Sequence, residues 1–375
     1  MRKSLVFTAI GMALNVNAAP AEAPFGQSSE LNDVQNRCIV RLNDNTESSQ
    51  VTGLAKAMAA KGNSTIEHVY KHSIKGFTVN LPCMAASAAF GKDDNIQSLT
   101  PDSIVSISVD QLAKAANNNS QQASYGTGRV GGPVDGTGYT AWIIDTGIDL
   151  DHPDLNVDSS RGFSAITKGG GGMDDQNGHG THVAGTVGAL DNSIDALGVA
   201  PNTTVIPVRV LDRRGSGTTS GVIAGIDHVA ANASAGDCAN MSLGGGISEA
   251  LDDAVIAAAR ASGAYFVLAA GNDGDDANNY SPARANGSNV STISAIDAND
   301  NMASWSNYGN PPVDYAAPGV GIFSLWKNGG TSTISGTSMA APHACAVMMM
   351  SNGRPATDGT ANNDPDGDAD PIIHL

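Results

Sequence analysis

Hydrophobic and polar residues follow two different patterns along the chain, which meet at the polar stretch 117–123. Before this stretch, residues 77–81 and 105–109 alternate between apolar and polar with a period of two, which predicts half-buried strands. The apolar positions of residues 51–58 fall on one helical face. We therefore predict a small α+β domain over residues 30–115.

After the polar stretch, short apolar runs alternate with Ala-rich stretches of helical length. The apolar runs predict strands at 141–144, 205–210 and 266–269, and the Ala-rich stretches predict helices at 221–233 and 251–261. Strands and helices in alternation are typical of a parallel sheet covered by helices. The pattern predicts an α/β domain with a mostly parallel sheet, for which we take residues 121–350.

Charge is divided unevenly between these regions. Residues 1–120 carry 10 Lys and Arg against 10 Asp and Glu, whereas residues 121–375 carry 10 against 27, so the net charge of −17 belongs to the second part. An acidic surface argues against nucleic acid and anionic membranes as partners.

Beyond residue 350 the chain looks loop-like, and we take 351–375 as an acidic C-terminal segment.

The N-terminus has the features of a secretory signal peptide. Arg2 and Lys3 precede an apolar run over residues 5–16, and small residues follow up to Ala23. The run is shorter than the roughly 20 residues that a membrane-spanning helix needs. We predict a signal peptide over residues 1–23, and a secreted, extracellular protein.

Four cysteines divide evenly between the two parts of the chain. Cys38 and Cys83 lie early, and Cys238 and Cys345 lie late. Export permits disulfides, so pairing within each half is plausible. Free buried thiols remain the alternative for both pairs.

Three short segments of the second domain carry residues typical of nucleophilic catalysis. The apolar run 142–144 ends in Asp145, glycines surround His179 at a helix start, and Ser338 follows a glycine at another helix start. A serine hydroxyl is a poor nucleophile until an imidazole removes its proton. That imidazole needs a carboxylate to fix its tautomer and stabilise its charged form.

These three segments, in the order Asp, His, Ser, resemble those of the subtilisin-like serine proteases, and of the proteinase K-like branch in particular. The resemblance runs from about residue 125 to 343 and includes the intervening matches 240–245 and 269–272. It implies a subtilisin-like fold and a serine endopeptidase. By this resemblance, Asp145 would orient His179, and His179 would act as general base and acid. Ser338 would attack the scissile carbonyl.

The resemblance also implies an oxyanion hole and a substrate-binding edge. Asn272 matches the asparagine that donates to the developing oxyanion, and the Ser338 N–H would be the second donor. A peptide substrate would add as a strand along the edge. Glycines there suggest an open pocket, so we expect broad specificity with a preference for apolar or aromatic residues. The residues expected to bind substrate are Ser242, Leu243, Gly244, Gly245, Ala270 and Gly271.

Metal ions enter only as structural elements, because the predicted chemistry needs no cofactor. His179 and His182 form an H-x-x-H pair, but no helical Glu accompanies them as in H-E-x-x-H, so we interpret His182 as a packed core histidine. Calcium is the better candidate. The resemblance suggests Asp297 with a carbonyl near Pro282 as ligands. For the alternating carboxylates of 364–370, a calcium loop and a solvated acidic tail remain open alternatives.

The first domain matches the family's inhibitory propeptide in length and placement. Such a segment caps the active site until it is cut, and we expect the cut between Gln111 and Ser124. The predicted partners are therefore polypeptide substrates and the chain's own propeptide. We expect no nucleic acid or membrane as a partner, and we expect the enzyme to be a monomer.

One departure from the family concerns the C-terminus, where only 37 residues follow Ser338 and their packing is uncertain. Two alternatives from other classes are a catalytically silent homologue that binds peptides and a calcium-dependent surface protein. The complete triad disfavours the first, and the second lacks a repeat array in this sequence.

Overall fold

The computed structural model describes residues 33–107, the backbone of 111–112, and residues 120–167 and 170–375. The predicted signal peptide, residues 1–23, lies outside the described residues, as does Val109 in the predicted strand 105–109.

The first body is a four-stranded antiparallel sheet with two helices on it, in the strand order β2-β3-β1-β4. Apolar residues on one face of α1 and on alternate strand positions meet in a small core that includes Val40, Val51, Met58 and Phe77. The elements are β1 (Cys38–Leu42), α1 (Ser48–Lys61), β2 (Ile66–Tyr70), β3 (Gly76–Val79), α2 (Cys83–Phe90) and β4 (Ile96–Pro101), with a 3₁₀ turn at Val34–Asn36.

The second body is built on a large sheet in the order β10-β12-β8-β14-β16-β18-β19-β23-β22, with β9 also paired to β12. All pairs are parallel except β22 with β23. The strands are β8 (Thr140–Asp145), β9 (Asn156–Val157), β10 (Phe163–Ser164), β12 (Thr204–Arg209), β14 (Cys238–Met241), β16 (Tyr265–Ala269), β18 (Val290–Ile296), β19 (Val313–Pro318), β22 (Ala356–Thr360) and β23 (Pro371–His374).

Helices cover both faces of this sheet, because its central strands carry apolar residues on both faces. Ile143 packs with α4 and α7 on one face, and its neighbour Trp142 packs with α5 and α6 on the other. The helices are α3 (Tyr125–Arg129), α4 (His179–Gly188), α5 (Thr219–Asn232), α6 (Glu249–Ser262) and α7 (Thr337–Met350). The predicted α/β fold with a preceding α+β body is confirmed.

Short strands outside the large sheet form three smaller sheets among the described residues. In the order β13-β5-β15-β17, a sheet joins a strand of residues 104–106 to three strands of the second body. The remaining elements are β5 (Ile104–Ser106), β6 (Gln111–Leu112), β7 (Gln122–Ala123), β11 (Ala196–Leu197), β13 (Ser216–Thr218), β15 (Gly244–Gly246), β17 (Tyr280–Ser281), β20 (Ile322–Trp326) and β21 (Gly330–Ser335), with 3₁₀ turns at Ser159–Arg161 and Ala277–Asn279.

The structure corrects the predicted limit of the second domain at residue 350. Strands β22 and β23 follow α7, and β23 extends the large sheet by pairing with β19. Ile372 and Ile373 are completely buried. Residues 351–375 are therefore part of the domain. Sequence reasoning missed them because the acidic run 364–370 conceals the four-residue strand that follows.

Both predicted cysteine pairs are disulfides. Cys38 at the start of β1 is bonded to Cys83 at the start of α2, and Cys238 in β14 is bonded to Cys345 in α7. Each bond links a helix to the strand that it packs on. Within the described part of the chain, no helix combines the length and apolar character that crossing a membrane requires.

Candidate active site

Asp145 and His179 lie together at the carboxyl end of the large sheet. Asp145 is the last residue of β8, and His179 is the first residue of α4. His179 Nδ1 lies 2.8 and 2.9 Å from the two oxygens of the Asp145 carboxylate. Both side chains are buried. A buried carboxylate on Nδ1 orients the ring and stabilises its protonated form.

A glycine allows this close approach of helix and strand. A Cβ on Gly180 would lie only 2.1 Å from the carbonyl oxygen of Gly147, which follows β8. Any larger residue at position 180 would push α4 away from the strand that carries Asp145. The Gly-His-Gly sequence is therefore a packing requirement of the site.

Asp175 is a residue that sequence reasoning missed. Its Oδ1 accepts hydrogen bonds from the N–H groups of Asn177 and Gly178, both at 2.8 Å, and from the Thr146 hydroxyl at 3.0 Å. Its Oδ2 accepts from the N–H and hydroxyl of Thr181. Burial raises the pKa of the Asp175 carboxyl, and these hydrogen bonds oppose the rise. Asp175 thus ties the loop before His179 to the strand end that carries Asp145.

The other ring nitrogen of His179 is the one that can act on a substrate. Nε2 is buried and has no hydrogen-bond partner among the described residues. The neighbouring His182 is also completely buried, and its Nε2 lies 3.0 Å from the carbonyl oxygen of Ile322. Burial, together with the nearby His179, lowers the pKa of His182 to about 3. His182 is therefore a neutral core histidine, as predicted.

Ser338 lies in the first turn of α7, where the helix dipole favours negative charge. It is 3% exposed, and its Oγ donates a hydrogen bond to the carbonyl oxygen of Ser242 at 3.3 Å. In return the Ser242 hydroxyl donates to the carbonyl oxygen of Ser338 at 2.8 Å. Ser338 Oγ is thus bonded to the segment after β14 and not to His179 Nε2.

Asn272 lies beside Ser338 and is turned so that its amide group can donate. Its Oδ1 accepts hydrogen bonds from the N–H of Thr337 at 2.9 Å and from the Thr337 hydroxyl at 2.8 Å. These bonds fix the oxygen end toward α7, which leaves Nδ2 as the donor end. A donor held in advance beside a serine is the geometry that stabilises an oxyanion.

Asn307 holds the loop that carries Asn272, and the sequence analysis did not identify it. Its Oδ1 accepts hydrogen bonds from the N–H groups of Asp273 and Asp275, and its Nδ2 donates to the carbonyl oxygen of Ala270. Gly271 has a φ of +109°, and a Cβ there would lie 2.3 Å from Asn307 Nδ2. Only glycine permits this packing, so Gly271 is a packing requirement of the loop that carries Asn272.

Five of the six predicted substrate-binding residues line one cavity of about 200 Å³. Leu243, Gly244 and Gly245 form one wall, Ala270 and Gly271 form another, and Asn272 and Ser338 lie at the mouth. Ser242 does not line the cavity but contacts Ser338, as described above.

A strand of the first body already occupies the edge of this cavity. β5 pairs antiparallel with β15 on one side, in the register Gly244↔Ser106 and Gly245↔Val105. On its other side β5 pairs antiparallel with β13. Ser106 itself lines the cavity. The backbone of residues 104–106 therefore lies where the sequence analysis expects a peptide substrate.

The oxygens of the residues named for calcium accept hydrogen bonds from N–H groups. Asp297 Oδ1 accepts from the N–H groups of Asn299 and Asn301, and the Asn301 amide group lies 3.3 Å from each Asp297 oxygen. The carbonyl oxygen of Pro282 accepts from the N–H of Ala285 at 2.8 Å. A carboxylate has about four lone-pair sites and a carbonyl oxygen has two, so these hydrogen bonds do not occupy every site, and calcium there stays a prediction.

The acidic run 364–370 is neither a simple solvated tail nor a ready-made metal site. Asp370 is 1% exposed and accepts a hydrogen bond from the Ser294 hydroxyl, while Asp364 accepts from the N–H groups of Asp366 and Asp370. Among the described residues, no group of three or more His, Cys, Asp or Glu side chains is arranged to hold a metal ion.

Comparison with known proteins agrees with this geometry. Residues 136–353 match the subtilase family, Peptidase_S8. The chain is 36% identical over 369 residues to the subtilisin-like serine protease AsES of Sarocladium strictum, a match that covers 92% of this chain and 88% of that protein. It is 43% identical over 297 residues to alkaline serine exoprotease A of Vibrio alginolyticus, covering 76% of this chain but only about half, 53%, of that protein.

The fold has a close counterpart among solved structures. The crystal structure of a cold adapted subtilisin-like serine proteinase superposes with a TM-score of 0.59 at 40% sequence identity. The superposition covers 67% of this chain and 98% of that chain. The remaining third of this chain, which is not superposed, is long enough to include the first body.

Proposed function

From the premise that this chain belongs to the subtilase family of serine endopeptidases, we propose that it cleaves polypeptides through the triad Asp145, His179 and Ser338. The observation that carries the proposal is the buried contact between His179 Nδ1 and the Asp145 carboxylate, while Nε2 has no hydrogen-bond partner among the residues that the structure describes. A histidine so arranged is the general base that a serine nucleophile needs.

The reaction proceeds in two halves. Ser338 Oγ attacks the carbonyl carbon of the substrate while His179 Nε2 takes its proton, and Asp145 stabilises the imidazolium. The tetrahedral intermediate collapses, the C–N bond breaks, and His179 gives its proton to the leaving amine. Water then attacks the acyl-Ser338 ester by the same route, which releases the acid and restores the serine. Ser338 Oγ must turn from the Ser242 carbonyl oxygen toward Nε2 for the first step.

The oxyanion of each tetrahedral intermediate would be stabilised by two donors, Asn272 Nδ2 and the Ser338 N–H. Thr337 orients the first by holding Asn272 Oδ1, and the N-terminus of α7 carries the second. In subtilisin itself, loss of the side-chain donor costs about 10²–10³-fold in turnover. We expect a loss of this size for Asn272→Ala.

Substrate recognition would depend mainly on the backbone. A peptide that replaces β5 would pair with Gly244 and Gly245, and main-chain pairing reads no side chain. The cavity walls include Ala269, Ala270 and Ala283, so an apolar or aromatic side chain before the cut bond fits best. We propose broad specificity with this preference.

The first body would act as an inhibitory propeptide, since its strand β5 takes the place of a substrate. The precursor chain pairs with Gly244 and Gly245 through residues 105–106, and with Ile334 and Ser335 through Gln111 and Leu112. Ser335 lies three residues before Ser338, and Ser338 lines the cavity that β5 borders, so both contacts are near the nucleophile. We therefore place the maturation cut between Ile107 and Gln111, N-terminal to the range 111–124 expected from the sequence.

Secretion fits the predicted signal peptide at residues 1–23, which the structure does not describe, and a relative from Thermus that is named extracellular serine proteinase. We propose a secreted, monomeric enzyme whose partners are polypeptide substrates and its own propeptide. The proposed steps need no cofactor, and calcium as a structural ion stays a prediction. Activity with and without a chelator tests it.

Fluorophosphonate labelling of the secreted, matured protein tests the triad. We expect label on Ser338 alone by peptide mapping, and none in Ser338→Ala. N-terminal sequencing of the same sample locates the maturation cut. Folded, matured protein that takes no label would contradict the proposed triad and favour a peptide-binding protein without catalysis.

A further inference from the structure

Pro342 interrupts the hydrogen bonding of the helix that carries the nucleophile. α7 spans Thr337–Met350 and contains Pro342. In an α-helix the carbonyl oxygen of residue i accepts the N–H of residue i+4, which for Ser338 is residue 342. Proline has no N–H, and its ring crowds the carbonyl group four residues before it. The carbonyl oxygen of Ser338 therefore cannot receive its usual helical donor.

The hydroxyl of Ser242 supplies a donor to this carbonyl oxygen. Ser242 Oγ donates to the Ser338 carbonyl oxygen at 2.8 Å, and the two residues are 0% and 3% exposed. A buried carbonyl group that loses its donor costs free energy, because water does not replace the bond. The Ser242 hydroxyl thus lies where proline leaves the helix without a donor.

Asn240 orients the Ser242 hydroxyl. Asn240 Nδ2 donates to Ser242 Oγ at 2.8 Å, and Asn240 is completely buried in β14, between β8 and β16 of the large sheet. A serine hydroxyl has a single proton to donate. Because its oxygen accepts from Asn240, that proton can point to the Ser338 carbonyl oxygen. The result is a hydrogen-bond chain from Asn240 through Ser242 to the backbone of Ser338.

The hydrogen-bond chain holds the N-terminal end of α7, and a disulfide holds the helix further along. Cys345 of α7 is bonded to Cys238 at the start of β14. About two helical turns, or about 10 Å, separate residues 338 and 345, and an extended chain covers about 13 Å from 238 to 242. α7 therefore runs alongside β14 in the opposite direction. The disulfide lies too far along the helix to fix residue 338 itself.

The hydrogen bond from the Ser242 hydroxyl can persist during the reaction. Ser338 Oγ must leave the Ser242 carbonyl oxygen to reach His179 Nε2. The bond from the Ser242 hydroxyl is made to the backbone and does not involve Ser338 Oγ. It can therefore hold residue 338 in place while the side chain turns, together with the N–H that is proposed to donate to the oxyanion.

We propose that Ser242 and Asn240 are positioning residues for the nucleophile, which fix the backbone of Ser338 at the point where Pro342 removes its helical donor. The side chain of Ser242 then has a role other than the substrate binding expected from the resemblance. This inference rests on the proposed function, because it concerns the same Ser338.

The variant Ser242→Ala tests the proposal in the matured enzyme. We expect kcat for a peptide anilide, counted per active site by fluorophosphonate titration, to fall about tenfold, because a buried carbonyl group loses its donor. KM should change by less than about twofold, since alanine keeps the backbone groups that would pair with a substrate. Asn240→Ala should lower kcat by about threefold, and should add little in the Ser242→Ala background.

The variant Pro342→Ala distinguishes positioning from a general loss of stability. Alanine restores the N–H at position 342, which can donate to the Ser338 carbonyl oxygen within the helix. In this background we expect Ser242→Ala to lower kcat by less than about threefold instead of tenfold. A hydroxyl that only stabilised the fold would cost the same in both backgrounds.

The variant Ser294→Ala is the matched control. It also removes a buried serine hydroxyl, which donates to Asp370 in the C-terminal segment. We expect kcat per active site to stay unchanged in this variant. Variants that mature slowly are cut by immobilised wild-type enzyme, which is removed before the assay.

Several results would overturn the inference. An unchanged kcat in Ser242→Ala would do so, as would a tenfold rise in KM at constant kcat, which assigns Ser242 to substrate binding. Equal losses with and without Pro342→Ala would also count against it. If Pro342→Ala does not fold, Ser242→Cys decides, because its weak S–H donor should restore part of kcat, and no restoration contradicts the proposal. Failure of the proposed function gives a different result, in which the wild-type enzyme takes no label and hydrolyses no anilide.

Discussion

The two bodies of this protein are stabilised in different ways. The second has apolar cores on both faces of a large parallel sheet, whereas the first has one small core beneath a four-stranded sheet. Part of the first body's apolar surface, including Ile39, Tyr70 and Val105, packs into a core of the second body. The first body thus depends on its partner for burial that the second body achieves alone.

Polar anchors join the two bodies at the helices α5 and α6. The Asp227 carboxylate of α5 accepts the N–H groups of Lys71, His72 and Ser73 and the Ser73 hydroxyl. In the opposite direction, Asp102 of the first body accepts the N–H and hydroxyl of Ser220 at the start of α5. A carboxylate at a helix N-terminus is favourable, so Asp102 acts as a cap supplied by the other body.

This contrast shows how one chain can contain a permanent and a temporary part. We expect the second body to stay folded on its larger cores without the first body, whereas the first body exposes apolar surface once it leaves. Proteolysis after the cut would then remove the weaker part, which makes activation irreversible.

Removing the Cys38–Cys83 disulfide should have the largest effect on the difference in stability between the two bodies. A closed loop of this length typically contributes about 2–4 kcal/mol, which is most of the stability of a small body. We expect Cys38→Ala with Cys83→Ala to lower the unfolding temperature of the first body and the yield of mature enzyme. Thermal unfolding of the uncut Ser338→Ala precursor measures it. Cys238→Ala with Cys345→Ala removes the disulfide of the second body. If this change lowered the unfolding temperature of its own body by the same amount, it would contradict the comparison.

Replacing Asp227 should break the docking of the bodies without disturbing either core. Asp227→Ala leaves the N–H groups of residues 71–73 without their acceptor, and hydrogen bonds to a charged group contribute about 1.5–3 kcal/mol each. We expect inhibition of the mature enzyme by added first body to weaken by about 30-fold or more. Inhibition constants measured against a peptide anilide show it, and an unchanged constant would contradict the anchor.

The stability of the second body should depend on pH through the Asp370 carboxyl. Burial, with the charge of Asp364, raises the pKa of the Asp370 carboxyl to about 6, although the Ser294 hydroxyl opposes the rise. The folded state therefore binds the proton more tightly than the unfolded state, whose carboxyl has a pKa of about 4. Stability contributed by this group is present below about pH 4 and is lost as pH rises to about 6. Asp370→Asn should raise the free energy of unfolding by about 1–2 kcal/mol at pH 8 and change it little at pH 4, which thermal unfolding at the two pH values measures. A gain of equal size at both pH values would contradict the assignment.

The smallest effect is expected at the rim of the contact between the bodies. Arg41 forms an ion pair with Asp253 of α6, whose side chain is 39% exposed. Exposed ion pairs contribute about 0–1 kcal/mol and weaken with salt. We expect Arg41→Ala to weaken inhibition by the first body less than fivefold, and less still at high salt. A loss as large as that of Asp227→Ala would make charge, rather than hydrogen bonding, the basis of docking.

The residues of the site differ in how far the sequence predicted them. Asp145, His179, Ser338 and Asn272 stand in short motifs, because each needs particular neighbours within a few positions. Asp175 and Asn307 escaped notice, since their role is to accept or donate hydrogen bonds between segments that only folding brings together. The C-terminal strand β23 escaped notice because four residues are too few for a periodic pattern.

The sequence alone predicted the two-part organisation, the α/β sheet and the residues proposed to carry the chemistry, and it left disulfides within each half as one of two alternatives. These follow from local periodicity and from motifs of adjacent residues. Only the tertiary structure decided that β5 lies along the edge of the cavity and that Asp227 binds the backbone of residues 71–73. Such contacts join residues more than a hundred positions apart, and no pattern along the chain records which distant groups the packing of two cores will bring within hydrogen-bond distance.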